Sequence, residues 1–402
     1  MRNWAGNVTY STDRVLRPRT VEEACELVAA TGAIRPLGTR HSFSRVADAT
    51  GALLSTEHLD RIVELGERTV TVEAGIRYGE LGAALHEHGL TVANFASLPH
   101  ISVGGAVATA THGSGAANAS LAAAVTALEL VQGDGSTVHL RRGDEGFAGA
   151  VVGLGALGPA VRLTLEVGPT FELRQEVFDG LSWAAVEAHL DELLALAYSV
   201  SLFTLWTDAG VEQVWVKGTG AVGECFGAAP ADGPRHPIAG SGPENCTEQL
   251  GVPGPPHERL PHFRLGFTPS GGDELQSEYA VAREDGVAAL RALRPLGPRL
   301  TPLLLVSEIR AVAADDLWLS PFCGRDSVTI HFTWKPLAAE VQAVLPLVEA
   351  ALAPFAARPH WGKVFLAPPV ALYPELPAFR ALRRELDPGG KFGNDFVAQL
   401  GM

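Results

Sequence analysis

Apolar and polar residues alternate along Ala160-Val161-Arg162-Leu163-Thr164-Leu165-Glu166-Val167, as they do in a strand with one buried face. The same reading predicts short strands at 34–37, near 52–55, and at 68–74, 124–131 and 137–141. The turn Gly133-Asp134-Gly135-Ser136 joins the last two as a hairpin. Two helices fall among these strands. Thr20-Val21-Glu22-Glu23 is a capping box that opens the first, which runs to Gly32. The second covers 78–88 and closes on Gly89. Beyond residue 170 the pattern predicts further helices and strands, the strands near 172–178, 213–217, 275–280, 304–312 and 327–334. A proline- and glycine-rich stretch, 228–256, reads as a long ordered loop. The segment from Arg358 is too short for a core of its own and is expected to pack back onto the first part. The class is therefore α+β, with domains at 1–170 and 171–357 and a returning segment at 358–402.

Composition narrows the possibilities. With 402 residues, 47% hydrophobic and 19% charged, the chain suits two or three packed domains and not a disordered polymer. A net charge of −14 without any Lys/Arg run excludes a nucleic-acid footprint. Cys25, Cys225, Cys246 and Cys323 are scattered and form no Cys-x-x-Cys, so neither a metal site nor a disulfide framework is expected. The first residues lack the apolar core of a signal peptide, and no apolar run reaches the roughly 18 residues of a membrane span. A soluble, cytoplasmic monomer is the expectation.

Arginine outnumbers lysine 27 to four, so each lysine invites a question. Lys363 stands in His360-Trp361-Gly362-Lys363. Lysine is a compact charge whose pKa can be tuned, and this one reads as part of an active-site wall. Gly38-Thr39-Arg40-His41-Ser42-Phe43, a glycine turn ending on a histidine just after a predicted strand, reads as a cofactor anchor. Residues 99–115 are nearly all small. Bare backbone of this kind forms anion-binding nests that suit a pyrophosphate; a buried small-residue helix is the alternative. Gly153-Leu154-Gly155-Ala156-Leu157-Gly158 matches G-x-G-x-x-G, but Pro159 and then a strand follow where a Rossmann site needs a helix. The match is a decoy for NAD, although its backbone can still touch a nucleotide.

Glu308 and Arg310 share one face of their strand, and His331 and Thr333 share one face of theirs. Gln276 lies in a third. If these strands pair, one surface offers Gln, Glu, Arg, His and Thr to several hydroxyl groups at once; an exposed face with an ordinary Glu–Arg pair is the alternative. No G-x-S-x-G elbow is present, so a hydrolase has no support.

These segments resemble the alditol oxidases, often called xylitol oxidases, which are flavoenzymes of the vanillyl-alcohol-oxidase type. The resemblance runs from Asn3-Trp4-Ala5-Gly6-Asn7 to Gly390-Lys391-Phe392. Its more specific parts are Pro99-His100-Ile101-Ser102-Val103 and Gln276-Ser277-Glu278-Tyr279. It implies an FAD-binding domain of the p-cresol-methylhydroxylase type, built from two α+β subdomains, and a substrate-binding cap with a large antiparallel sheet flanked by helices. It implies FAD linked covalently through His41, with Pro36, Leu37, Gly38, Thr39, Arg40 and Ser42 around the flavin. Ser97, Ser102, Gly104, Gly105, Thr109, Ala110, Thr111 and His112 would line the pyrophosphate and flavin, Gly155, Gly158 and Val161 the nucleotide, and His360 would approach the ring. Ser97, Gln276, Glu308, Arg310, Thr333 and Lys363 match substrate positions, with Glu308, Arg310, His331 and Lys363 as the catalytic set.

The reaction implied is oxidation of the terminal hydroxyl of an acyclic polyol, such as xylitol or sorbitol, to the aldose. Hydride would pass to flavin N5 and O2 would reoxidise the flavin to give hydrogen peroxide, with Ala96 bordering the oxygen path. A salt link to Arg310 is expected to keep Glu308 ionised, and Glu308, His331 and Lys363 all stand as candidates for the base. Arg40 departs from relatives that carry a small residue there, and its bulk would alter flavin entry or a phosphate contact. The alternatives are an aldonolactone oxidase or dehydrogenase of the gulonolactone type, and a flavin-free binding protein.

Overall fold

The computed structural model describes residues 1–267, 274–366 and 370–401. Three larger sheets organise them, beside a two-stranded antiparallel pair, Leu90–Thr91 with Gly168–Pro169. Strands Val15–Leu16, Ala52–Ser55 and Ile34–Leu37 form a small parallel sheet. Helix Val21–Ala29 covers it through Val21, Ala24 and Val28. Thr20 caps this helix by accepting from the Glu23 N–H at 3.2 Å, as the capping signature requires. The helix ends at Ala29, with Ala30 in right-handed geometry as its C-cap. Gly32 is therefore not the left-handed stop expected, whereas Gly89, at φ +72°, does close the helix Tyr78–Glu87.

A second sheet is antiparallel, in the order Ile62–Leu65, Thr69–Glu73, Ala160–Glu166, Val125–Val131, Thr137–Arg141. The bare stretch divides its character. Val103–Ala108 is a short helix with Val103, Ala106 and Val107 buried, so the small-residue helix holds there, while the flanks remain loop. Strands Val15–Leu16 and Ile62–Leu65 and helix Phe147–Val151 escaped the sequence reading.

The third sheet has eight strands and is antiparallel throughout. Its order is Ala229–Pro230, Arg174–Leu181, Val211–Gly218, Ser199–Thr204, Leu304–Val312, Ser327–Trp334, Leu275–Ala282, Arg358–Pro359. The central strand Ser199–Thr204 was also unforeseen. One face carries Val200, Leu202, Ile309, Ile330, Phe332 and Trp334 into a core with helices Trp183–Leu194, Gly286–Leu293 and Ala338–Leu352. Ala338–Phe355 is long and apolar enough to cross a membrane by length and composition, contrary to the expectation that no such run exists. It buries Val341, Val344, Leu345, Val348 and Leu352 in this core. Successive side chains alternate in a strand, so Glu308, Arg310, His331 and Thr333 point to the opposite face. That face is covered as well, because every residue of Ser327–Trp334 is buried.

The C-terminal segment supplies the edge strand Arg358–Pro359 and then crosses away from the sheet. Trp361, Phe379, Phe396 and Val397 join the core around Val70, Leu81 and Leu163. Phe392 packs with Val131 and Val161.

Candidate active site

The turn at His41 and the turn at Trp361 meet. Phe43 N–H donates to the Gly362 carbonyl at 2.6 Å, and Ser44 Oγ donates to the Trp361 carbonyl at 2.6 Å. Between these turns, the bare stretch and the covered face of the large sheet lies a cavity of about 680 Å³.

One wall is backbone. Residues 36–43, most of 104–112, and 153–155 with 157, 158 and 160 line it. The glycines are required by close approach. A Cβ on Gly38 would lie 2.5 Å from Ser102 Oγ, and one on Gly104 would lie 2.8 Å from Ala74 Cβ. Gly155 and Gly158 adopt φ +68° and +127°, conformations that side-chain-bearing residues avoid. Among the described residues, the N–H groups of Thr39, Arg40, His41 and Ser42 donate to no other group. Ser102 Oγ and His41 Nε2 are buried without a partner among the described residues. Consecutive free N–H groups over a glycine cradle suit an anionic, flat cofactor.

His41 stacks on Trp4 with centroids 5.2 Å apart, and its Nδ1 lies 3.0 Å from Thr39 Oγ1. Burial, then the nearby His100, Arg77 and Arg40, pushes its pKa down to about 4, so the ring is neutral. Arg40 takes φ 65°, is exposed, and lines the cavity beside His41. Ser102, Ala110 and Val161 stand behind the wall and do not line it. Ser102 lies under Gly38, while Ala110 and Val161 belong to the core. Sequence reasoning missed Arg35, which is 1% exposed and clamps this wall from beneath. It donates to the carbonyls of Leu154 (2.6 Å), Gly155 (2.9 Å) and Phe392 (2.5 Å) and to that of Val46.

The other wall is charge. Strand register sets Glu278 opposite His331 and His331 opposite Glu308, with Gln276 opposite Thr333. Gln276 Nε2 also donates to Glu274 Oε1 at 2.6 Å. Arg310 Nη2 donates to Glu278 Oε1 at 2.7 Å, and Lys363 Nζ donates to Glu278 Oε2 at 2.6 Å. The expected Glu308–Arg310 link is the weaker contact, at 3.6 Å. Glu278 was missed, although it sits two residues from Gln276 on the same strand face. Burial opposes ionisation of Glu278, but Lys363, His112 and Arg310 outweigh it and hold the pKa well below the usual carboxylate range. Glu308 is likewise held low against burial, by Arg310 and His262. Burial, then Lys363, pushes His331 down to about 4. Arg310 Nη1 reaches Ser97 Oγ at 3.4 Å.

Several of these atoms have no protein partner among the described residues, namely Arg310 Nε and both ring nitrogens of His331. Buried polar atoms left open in this way are costly unless something else pairs them. A molecule with several hydroxyls can do so. His112, Glu278 and His360 also come within 4.8 Å of one another. Both Glu278 oxygens already bind cations, and His360 Nδ1 already accepts the Gly362 N–H at 3.0 Å, so the group is a poor metal cage.

Residues 12–141 match the family profile of an FAD binding domain, and 273–400 match that of D-arabinono-1,4-lactone oxidase. Among solved structures, the cholesterol oxidase of B. sterolicum superposes with TM-score 0.78 over 99% of this chain and 96% of that one, at 16% identity. A solvent-stable cholesterol oxidase superposes with TM-score 0.80 over 100% and 97%, at 17% identity. At such identities the likeness is one of fold. Fold and cavity thus define an FAD-dependent oxidoreductase with an FAD-binding domain of the p-cresol-methylhydroxylase type and a cap built on a large antiparallel sheet. The alditol oxidase of Streptomyces sp. is 48% identical over 99% of this chain and 98% of its own length. The L-gulono-1,4-lactone dehydrogenase of Mycobacterium tuberculosis is 28% identical over 99% and 98%. The chain belongs to the alditol oxidase family, and it is an FAD-dependent oxidoreductase.

Proposed function

We propose that the enzyme oxidises the terminal hydroxyl of an acyclic polyol such as xylitol or sorbitol to the aldose, with O2 as electron acceptor and hydrogen peroxide as second product. The observation that carries this reading is the buried row of open polar atoms on the charged wall. His41 would hold FAD covalently, and the bound flavin would supply the hydride acceptor, with O2 as the terminal oxidant. The backbone wall would hold it with the N–H groups of 39–42, the first turn of the helix Val103–Ala108 at Gly104 and Gly105, and the Gly155 and Gly158 backbone. The neutral ring of His41 suits a nucleophile in a covalent link.

On the charged wall each group has a role set by its protonation. Glu308 and Glu278 are ionised. Glu308 accepts from substrate hydroxyls, and Glu278 orients Arg310 and Lys363. Those two cations favour negative charge where it develops in a water-poor pocket. His331 is neutral and open at both nitrogens, and Glu308 and Glu278, in register on either side, offset only part of the burial and Lys363 charge that lower its pKa. It is the group to accept the hydroxyl proton. Gln276, Thr333 and Ser97 bind the remaining hydroxyls. A site built this way rejects a substrate lacking them, because its polar atoms stay unpaired.

Anaerobic addition of xylitol to the purified protein is expected to bleach the flavin, and air is expected to restore the colour. A yellow protein bleached by a ring lactone and not by any polyol would transfer the proposal to the lactone reading. His41→Ala is expected to release FAD on denaturation; flavin that stays with the polypeptide would overturn the anchor.

A further inference from the structure

Behind Glu308 runs a line of buried groups that the chemistry proposed for the cavity does not use. Lys217 is 1% exposed and projects from the same sheet face as Phe203 and Glu308. Its Nζ donates to the carbonyls of Leu260 at 2.7 Å and Pro261 at 3.1 Å, and lies 3.0 Å from His262 Nδ1. An ammonium has three donors and no acceptor. Nδ1 therefore accepts, and the ring proton sits on Nε2. That nitrogen lies 2.8 Å from Glu308 Oε1 and donates to it. Phe203 and Trp215 pack edgewise on the imidazole at 5.6 and 5.2 Å, which fixes the ring plane. The His262 N–H donates to the Ser97 carbonyl at 2.9 Å, tying the ring to the loop that carries Ser97.

We infer that Lys217 and His262 are positioning residues for the oxidation: Lys217 selects the tautomer of His262, and His262 tethers Oε1 of Glu308 so that Oε2 stands charged and open to the substrate. The inference rests on the polyol reading above. Oε2 lies 3.6 Å from Arg310 Nε and 3.7 Å from His331 Nδ1, too far for either to hold it. A carboxylate gripped at one oxygen only depends on that grip for its orientation. The other tautomer of His262 would turn a lone pair on Oε1 and release it. Burial lowers Lys217 to about 7, with Glu308 and Cys246 restoring part of its charge and Arg310 opposing it. Burial, then Lys217, lowers His262 to about 4, so its ring is neutral and the tautomer is what matters. The titratable and charged groups facing Glu308 are Arg310 from its own strand, the neutral His331 from the next, Lys363 from the C-terminal segment, and the neutral His262 with Lys217 behind it.

Two substitutions of similar polarity separate positioning from packing. A glutamine amide reaches the level of Nε2, whereas an asparagine amide stops near Nδ1 and can meet only Lys217. In FAD-loaded enzyme, His262→Gln is expected to keep the pH profile of kcat/KM for xylitol. His262→Asn is expected to raise KM about tenfold or more, the scale for losing a bond to a charged group. Its acid limb should move to higher pH, because a carboxylate that loses a donor is protonated more easily. If both variants keep the parent's KM and acid limb, or if neither folds, His262 is a packing group and the inference falls. If the parent itself oxidises no polyol, the proposed function falls first and takes the inference with it; an active parent with an unmoved limb removes the inference alone.

Discussion

On one side of the cavity, 36–42 and the glycines at 104, 105, 155 and 158 offer backbone and little else. On the other, Glu278, Glu308, Arg310, His331 and Lys363 offer charge and almost no backbone. The first wall works by what is missing, since a single Cβ at Gly38 or Gly104 would collide with its neighbours. The second works by what is matched, since two anions and two cations neutralise one another while buried. A flat, rigid cofactor needs shape from its wall. A flexible polyol needs a fixed set of hydrogen-bond partners. The contrast predicts that the charged wall fails when a side chain is removed and the backbone wall fails when one is added.

Glu278→Leu tests the first half most severely. It strands Arg310 and Lys363 as unpaired buried cations, and breaking such a pair costs about 3–5 kcal/mol. Thermal unfolding should show that loss together with collapse of polyol oxidation, while a variant that stays stable would break the contrast. Glu308→Gln keeps the shape and removes the charge. A bond to a charged group is worth about 1.5–3 kcal/mol, so kcat/KM should drop by about 10- to 100-fold with flavin content unchanged. Gly104→Ala tests the other wall. Overpacking of this kind costs about 1–3 kcal/mol, and the effect should appear as lower FAD occupancy with substrate KM preserved in the loaded fraction.

The mildest test is graded and uses pH. His262 and His331 have folded pKa values near 4 against 6.5 when unfolded. Below 6.5 the unfolded chain binds protons that the folded one refuses, so stability present above that pH drains away as pH falls toward 4. Glu278 and Glu308, also depressed, extend the loss below the ordinary carboxylate pKa. The unfolding midpoint should therefore decline steadily through this window, and a flat profile would mean that these groups are solvated.

Much of the backbone wall was legible because its signals are local. A glycine that must approach Ser102 or adopt φ above zero announces itself in a turn motif, and the strand after Gly158 exposed the false Rossmann match. The helix at Val103–Ala108 was legible only as one of two options, because small residues fit either state. On the charged wall, period-two alternation placed Glu308 with Arg310 and His331 with Thr333, but said nothing of partners. Residues two apart in a strand are about 6–7 Å apart along it. Arg310 instead reaches across the middle strand to Glu278, while His262 holds Glu308.

Sequence by itself determined the alternation of elements, the bare cradle and the faces on which polar residues lie, because glycine sterics and strand pleat act over a few residues. Tertiary structure alone decided which charges pair. It brought Lys217, His262 and Glu278 into the site from strands and loops far apart in the chain, because electrostatic partners are chosen by distance through space in a poorly solvated interior.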